Sequence, residues 1–106
     1  MMKTRIAVAI LFLAAAPMFA DDLSRLSAIL LDAQNSKVTI SSDAWKVSAN
    51  EANALANRIA AKSGQKAARD LRTHVKQMRD AVMSGDVSGA QSHASQAMPF
   101  AYQLGR

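Results

Sequence analysis

Cysteine is absent from the 106 residues, and glutamate occurs once, as Glu51. The first absence removes disulfides, thiolate metal ligands and C-x-x-C redox chemistry. The second leaves the acidic side chains almost entirely to aspartates, and no paired carboxylates stand at a spacing suited to acid–base work. No H-E-x-x-H, G-x-S-x-G or phosphate-loop motif occurs, so nothing places a nucleophile beside a base. The chain therefore reads as a protein that is not an enzyme. Internal repeats and low-complexity tracts are absent too. Tryptophan occurs once, and Trp45 is expected to be a partly buried apolar anchor.

The amino terminus reads as a leader. Lys3 and Arg5 precede an apolar run, Ile6 to Ala16, which is too short to span a membrane. Pro17 ends the run, and Ala20 offers a small residue for cleavage before Asp21. Met18 is larger than the residue usual three positions before a cut, so the exact cleavage point stays open. With no cysteine near the cut, lipid attachment has no acceptor. Residues 1–20 are read as a signal peptide that is removed. Taking 20 residues from 106 leaves 21–106, a single domain of 86 residues with no membrane span. The expected location is periplasmic or secreted. Of 13 basic residues Lys3 and Arg5 leave with the leader, so 11 face 8 acidic ones, about +3. That mild charge suits contact with an anionic surface, and export excludes nucleic acid as the expected partner.

Hydrophobic periodicity predicts four helices. Leu23, Leu26, Leu30 and Ala33 mark helix one, about Asp22 to Gln34, with Asp21 and Asp22 at its favourable positive end. Gln34 to Ser41 reads as an extended connector with Val38 or Ile40 tucked onto the bundle. Ser41 or Ser42 caps helix two, which runs to about Lys62 and carries Trp45, Ser48, Ala52, Leu55, Ala56 and Ile59 on one face. Ser63-Gly64 is expected to stop it through the glycine, and helix three starts near Gln65. Leu71, Val75, Met78 and Val82 form the seam of helix three. Gly85 suits the left-handed residue after its end, and Asp86 suits the N-cap of helix four. Val87, Ala90, Ala94, Ala97, Met98 and Ala101 form the last seam. Folding back at Gly85 sets Val82, Met78, Val75 and Leu71 against Ala90, Ala94, Ala97 and Ala101, large residues opposite small ones. The expected fold is an all-α, up-down-up-down four-helix bundle with a short first helix.

Three side-chain patterns are candidate sites. Asn50, Asn53 and Asn57 recur at i, i+3 and i+7 on helix two. They read as a solvated flank, or as amides that hydrogen-bond a partner helix or polar ligand. Arg69, Arg72, Lys76 and Arg79 share an outer edge of helix three. They read as a solvated face, or as a contact for anionic lipid, an acidic partner or an acidic polymer. His74, Met78 and His93 converge on one flank of the last hairpin. They read as structural side chains, or as imidazole and thioether ligands suited to copper. The two histidines differ in height by ~6–7 Å at about 1.5 Å per residue.

The run from Met78 to Tyr102, with Gly85-Asp86-Val87, Ala90-Gln91 and Ala101-Tyr102, resembles the last hairpin of the soluble periplasmic b-type cytochromes. Asp22-Leu23 is similar as well. The resemblance implies an exported, cysteine-free four-helix bundle that holds haem non-covalently for electron transfer. That family ligates iron through a Met early in helix one and a His near the end of helix four. Leu26 and Ser27 stand at the first place and Tyr102 to Arg106 at the second, so no ligand residue carries over. The expectation is a binding or interaction protein of the cell envelope, with an envelope protein, an anionic surface or a second copy as partner. The alternative is a periplasmic haem or metal carrier.

Overall fold

The computed structural model describes residues 19–35 and 42–105. The leader reading at 1–18 and the connector reading at 36–41 lie outside these residues. Four helices account for nearly all of the described chain: α1 (Ala20–Asn35), α2 (Asp43–Lys62), α3 (Lys66–Ser84) and α4 (Val87–Leu104). No strand occurs among the described residues. The chain is a small all-α four-helix bundle in which each helix packs against two others: α1 on α2 and α4, and α3 on α2 and α4.

Local chemistry sets the helix ends. Asp21 and Asp22 lie in the first turn of α1, where carboxylates favour the exposed amide protons. The Ser42 hydroxyl accepts from the Trp45 amide and caps α2. The expectation for Gly64 is corrected here. Ser63, not a left-handed glycine, ends α2. Its backbone is extended (φ −109°, ψ 126°), its amide still donates to Ile59, and its hydroxyl accepts from the Gln65 amide at 3.3 Å. Gln65 precedes α3 and makes no side-chain cap bond.

The α3–α4 turn is the tightest joint. Gly85 has φ 78° and ψ 15°, a left-handed conformation that strains any residue with a Cβ. Its amide donates to the Val82 carbonyl at 3.1 Å, and the Asp86 amide reaches back to Ala81 at 2.8 Å. This pair of bonds satisfies two carbonyls that the helix end would leave bare. Asp86 then serves the next helix, its Oδ1 accepting from the Gly89 amide at 2.9 Å. A Cβ on Gly89 would collide with that carboxylate. Pro99 lies inside α4 on an exposed face, and its ring nitrogen cannot bond the Ser95 carbonyl one turn back.

Side-chain volume is distributed by helix. α1 buries Leu23, Leu26, Ile29, Leu30 and Ala33, and α3 buries Leu71, Val75, Met78 and Val82 with three alanines. α4 buries Ala90, Ala94, Ala97, Ala101 and Leu104, and α2 buries Ala49, Ala52 and Ala56 with Leu55 and Ile59. The large-residue helices α1 and α3 thus sit on one diagonal and the alanine-rich α2 and α4 on the other. Large side chains of α1 and α3 thus meet alanines of α2 and α4, which lets the axes approach closely. Trp45 is half-buried against this core, as are Phe19, Met98 and Phe100.

Two paired contacts lock α1 to α2. Arg25 donates through Nε and Nη2 to the two Glu51 oxygens, both at 2.9 Å. Arg58 binds Asp22 in the same forked way, at 3.1 and 2.9 Å. These bonds hold both carboxyls below their ordinary range and push both guanidiniums up. Gln34 donates to Ser95 Oγ at 3.1 Å and ties α1 to α4.

Candidate functional site

The sequence suggests two separate surfaces, an asparagine row and a basic edge. Packing of α2 on α3 brings parts of both to one groove of about 680 Å³. Asn53 and Asn57 line it from α2. Arg72, Lys76 and Arg79 line it from α3, together with Thr73, Gln77 and Asp80. Asn50 and Arg69 are exposed and stand outside it. Thr73 and Gln77 carried no signal in the periodicity, because single polar residues on an outer face look like ordinary solvated surface.

The groove keeps a net positive lining. Arg79 donates through Nε and Nη2 to Asp80 Oδ1, at 3.2 and 2.9 Å, so those two charges offset each other. Asp70, the other acidic residue of α3, is held by Lys66 at 2.7 Å. Among the described residues no carboxylate pairs with Arg72 or Lys76. They stand one helical turn apart, about 6 Å. Asn53 and Asn57 have the same spacing across the groove. The floor therefore offers cations on one helix and amide donors and acceptors on the other.

A second cluster lies along the α3–α4 contact. His74 of α3 has its ring centroid 6.3 Å from that of His93, with 29° between the planes. The same ring lies 5.6 Å from Phe100 at 8°. His93 and Phe100 are two turns apart on α4, about 10.5 Å, so His74 fills the space between them. Nδ1 of His74 and Nδ1 of His93 are both enclosed and have no hydrogen-bond partner. Met78 does not join them on the surface: its side chain is wholly buried in the core. No group of three or more histidines and carboxylates gathers among the described residues.

A third cleft, about 440 Å³, lies where α1 begins and α4 ends. Ala20, Leu23, Ser24 and Ser27 face Ala101, Tyr102 and Gly105 there. Haem of the b-type cytochromes would require a thioether and an imidazole at those two helix ends. These lining residues supply neither, so they do not fit the family's ligand pair. No helix among the described residues is long and apolar enough to cross a membrane. No family model, curated protein or solved structure matches the chain.

Proposed function

We propose that this chain is a binding protein of the cell envelope, and that its α2–α3 groove holds an acidic, extended segment of a partner protein. Export is inferred from the basic, apolar leader composition of residues 1–20. The observation that supports the binding reading is the meeting of Arg72 and Lys76, free of carboxylate partners, with Asn53 and Asn57 in one groove. An extended peptide repeats its side chains on one face about every 6.6 Å, close to the Arg72–Lys76 spacing. Alternate carboxylates would meet the two cations, while the asparagine amides bond the peptide backbone. Arg72 would grip a carboxylate with two parallel bonds, and Lys76 would act as a mobile point charge.

The test is fluorescence anisotropy of a labelled ten-residue peptide of alternating glutamate and serine. Binding is expected to weaken as salt rises from 0.1 M to 1 M, where the screening length falls from about 10 Å to about 3 Å. The reverse-charge variant Arg72→Glu/Lys76→Glu should lose it. Equal binding of a glutamine-for-glutamate peptide, or full binding by that variant, would refute the reading. Tight capture of anionic vesicles without peptide binding would instead assign the groove to lipid headgroups.

A further inference from the structure

Charge is divided unevenly among the helices. α3 carries five basic and two acidic residues, whereas α4 carries none of either along its 18 residues. In a chain with 20% charged residues, a stretch of 18 would ordinarily hold about four. The exposed arc of α4 consists instead of serines, glutamines, Pro99 and Tyr102. The adjoining arc of α1 continues it, with Ser24, Ser27, Ala28 and Leu31 at i, i+3, i+4 and i+7. The charges of α1 stand elsewhere. Asp22 and Arg25 turn to α2, where Arg58 and Glu51 hold them. Asp21 and Asp32 lie about 60° and about 80° round the helix from Ser24, toward Arg25. Two large apolar side chains are exposed on this uncharged face, Tyr102 at 71% and Leu31 at 49%. Tyr102 also borders the 440 Å³ cleft lined by Leu23, Ser24, Ser27, Ala101 and Gly105. A projection and a hollow therefore lie side by side.

We propose that the α1–α4 face is a self-association surface, covered by a second copy of this chain in a two-fold dimer. A two-fold axis between Tyr102 and the cleft sets each tyrosine into the cleft of the other copy, so one surface is complementary to itself. Charge selects this occupant. The chain is net positive, +5 over all its residues, so two copies repel where their basic α3 helices meet. On the α1–α4 face they approach without bringing like charges together. Loss of charge with a tyrosine and a methionine is the composition of interface centres, and Met98 packs one turn before Tyr102. An 18-residue helix is about 27 Å long, and two packed helices are about 18–20 Å wide. The face is then about 500 Å² per copy, or about 1,000 Å² in the dimer, near the lower bound for a specific interface. The dimer is accordingly weak and forms as concentration rises. It lies across the bundle from the α2–α3 groove and does not depend on the binding reading.

Sedimentation equilibrium of residues 19–106, which hold all four helices, tests the proposal from about 1 μM to about 1 mM. The average mass should rise from one copy toward two. The rise should persist from about 0.1 M to about 1 M salt, because no charge pair holds the contact. Tyr102→Lys and Leu31→Lys each leave an unpaired cation in the buried contact and should weaken the dimer by about tenfold or more. Val47→Lys removes an exposed apolar side chain from α2 and should leave the dimer unchanged. A single-copy mass throughout would overturn the proposal and leave the face to a different protein. So would a dimer lost in high salt, one unaffected by both face variants, or one weakened equally by Val47→Lys. If a lysine variant does not fold, amide resonances of the unaltered protein decide. Concentration-dependent shifts should gather on α1 and α4, and shifts gathered on α2 and α3 would refute the surface.

Discussion

Asp22 and Glu51 have carboxylates that arginines on the facing helix hold in forked hydrogen bonds. Their ordinary values are 3.8 and 4.5, and both are lowered in the folded protein, chiefly by those bonds. A carboxylate whose folded value is depressed stabilises the fold above its unfolded value and loses that contribution as pH falls through the folded one. Thermal stability should therefore hold above pH 4.5 and fall progressively below it. In Arg25→Gln/Arg58→Gln the melting temperature should be lower at neutral pH and should vary less in that acid range. Equal acid sensitivity in the two proteins, read by circular dichroism melts from pH 2 to 7, would assign the loss to other aspartates. These pairs join residues 26 and 36 positions apart. Nothing in local spacing marks Glu51 or Arg58 as partners of α1, so they were not legible before the helices were docked. The histidine pair was more accessible, since both offsets from the helix seams can be read on a wheel. What the wheel could not give was Phe100, whose place depends on how deeply His74 enters between two turns of α4.

The joint at Gly85 and Asp86 is an element whose stability can be divided into two terms. Space for a methyl group at Gly85 is open, so Gly85→Ala should cost only the left-handed strain, about 1–2 kcal/mol. Asp86→Ala removes the acceptor for the Gly89 amide and should cost about 1 kcal/mol. Urea denaturation of each variant measures both, and a neutral Gly85→Ala would mean that the turn relaxes to another conformation. This joint was readable because a left-handed stop and a cap act within a few residues. Gly64 was misread by the same logic. Glycine permits the left-handed state without requiring it, and Ser63 ends α2 with an extended backbone and its own hydroxyl.

At the scale of the molecule, half of the buried core among the described residues is alanine. Alanine on α2 and α4 sets how closely those helices approach α1 and α3. Core substitutions of opposite sense should therefore both be harmful. Leu71→Ala opens a cavity at a fully buried position and should cost about 2–5 kcal/mol. Ala94→Leu adds volume at a fully buried position and should cost about 1–3 kcal/mol. Chemical denaturation measures both, and an Ala94→Leu protein as stable as the parent would show that α4 does not pack tightly.

Helix number, the Gly85 and Asp86 ends, and most of the residues turned inward follow from the sequence by itself, whereas Ser42 rather than Ser41 as the α2 cap and Ala49 rather than Ser48 on its buried face do not. Caps and apolar periodicity act over one or two turns, and no distant contact is needed to read them. The shared groove of Asn53, Asn57, Arg72 and Lys76 and the arginine–carboxylate pairs were decided only by the tertiary structure. Each depends on how far every helix rotates about its axis and where it sits along its neighbour. That rotation is settled by the fit of whole faces, the larger side chains of α1 and α3 against the alanines of α2 and α4.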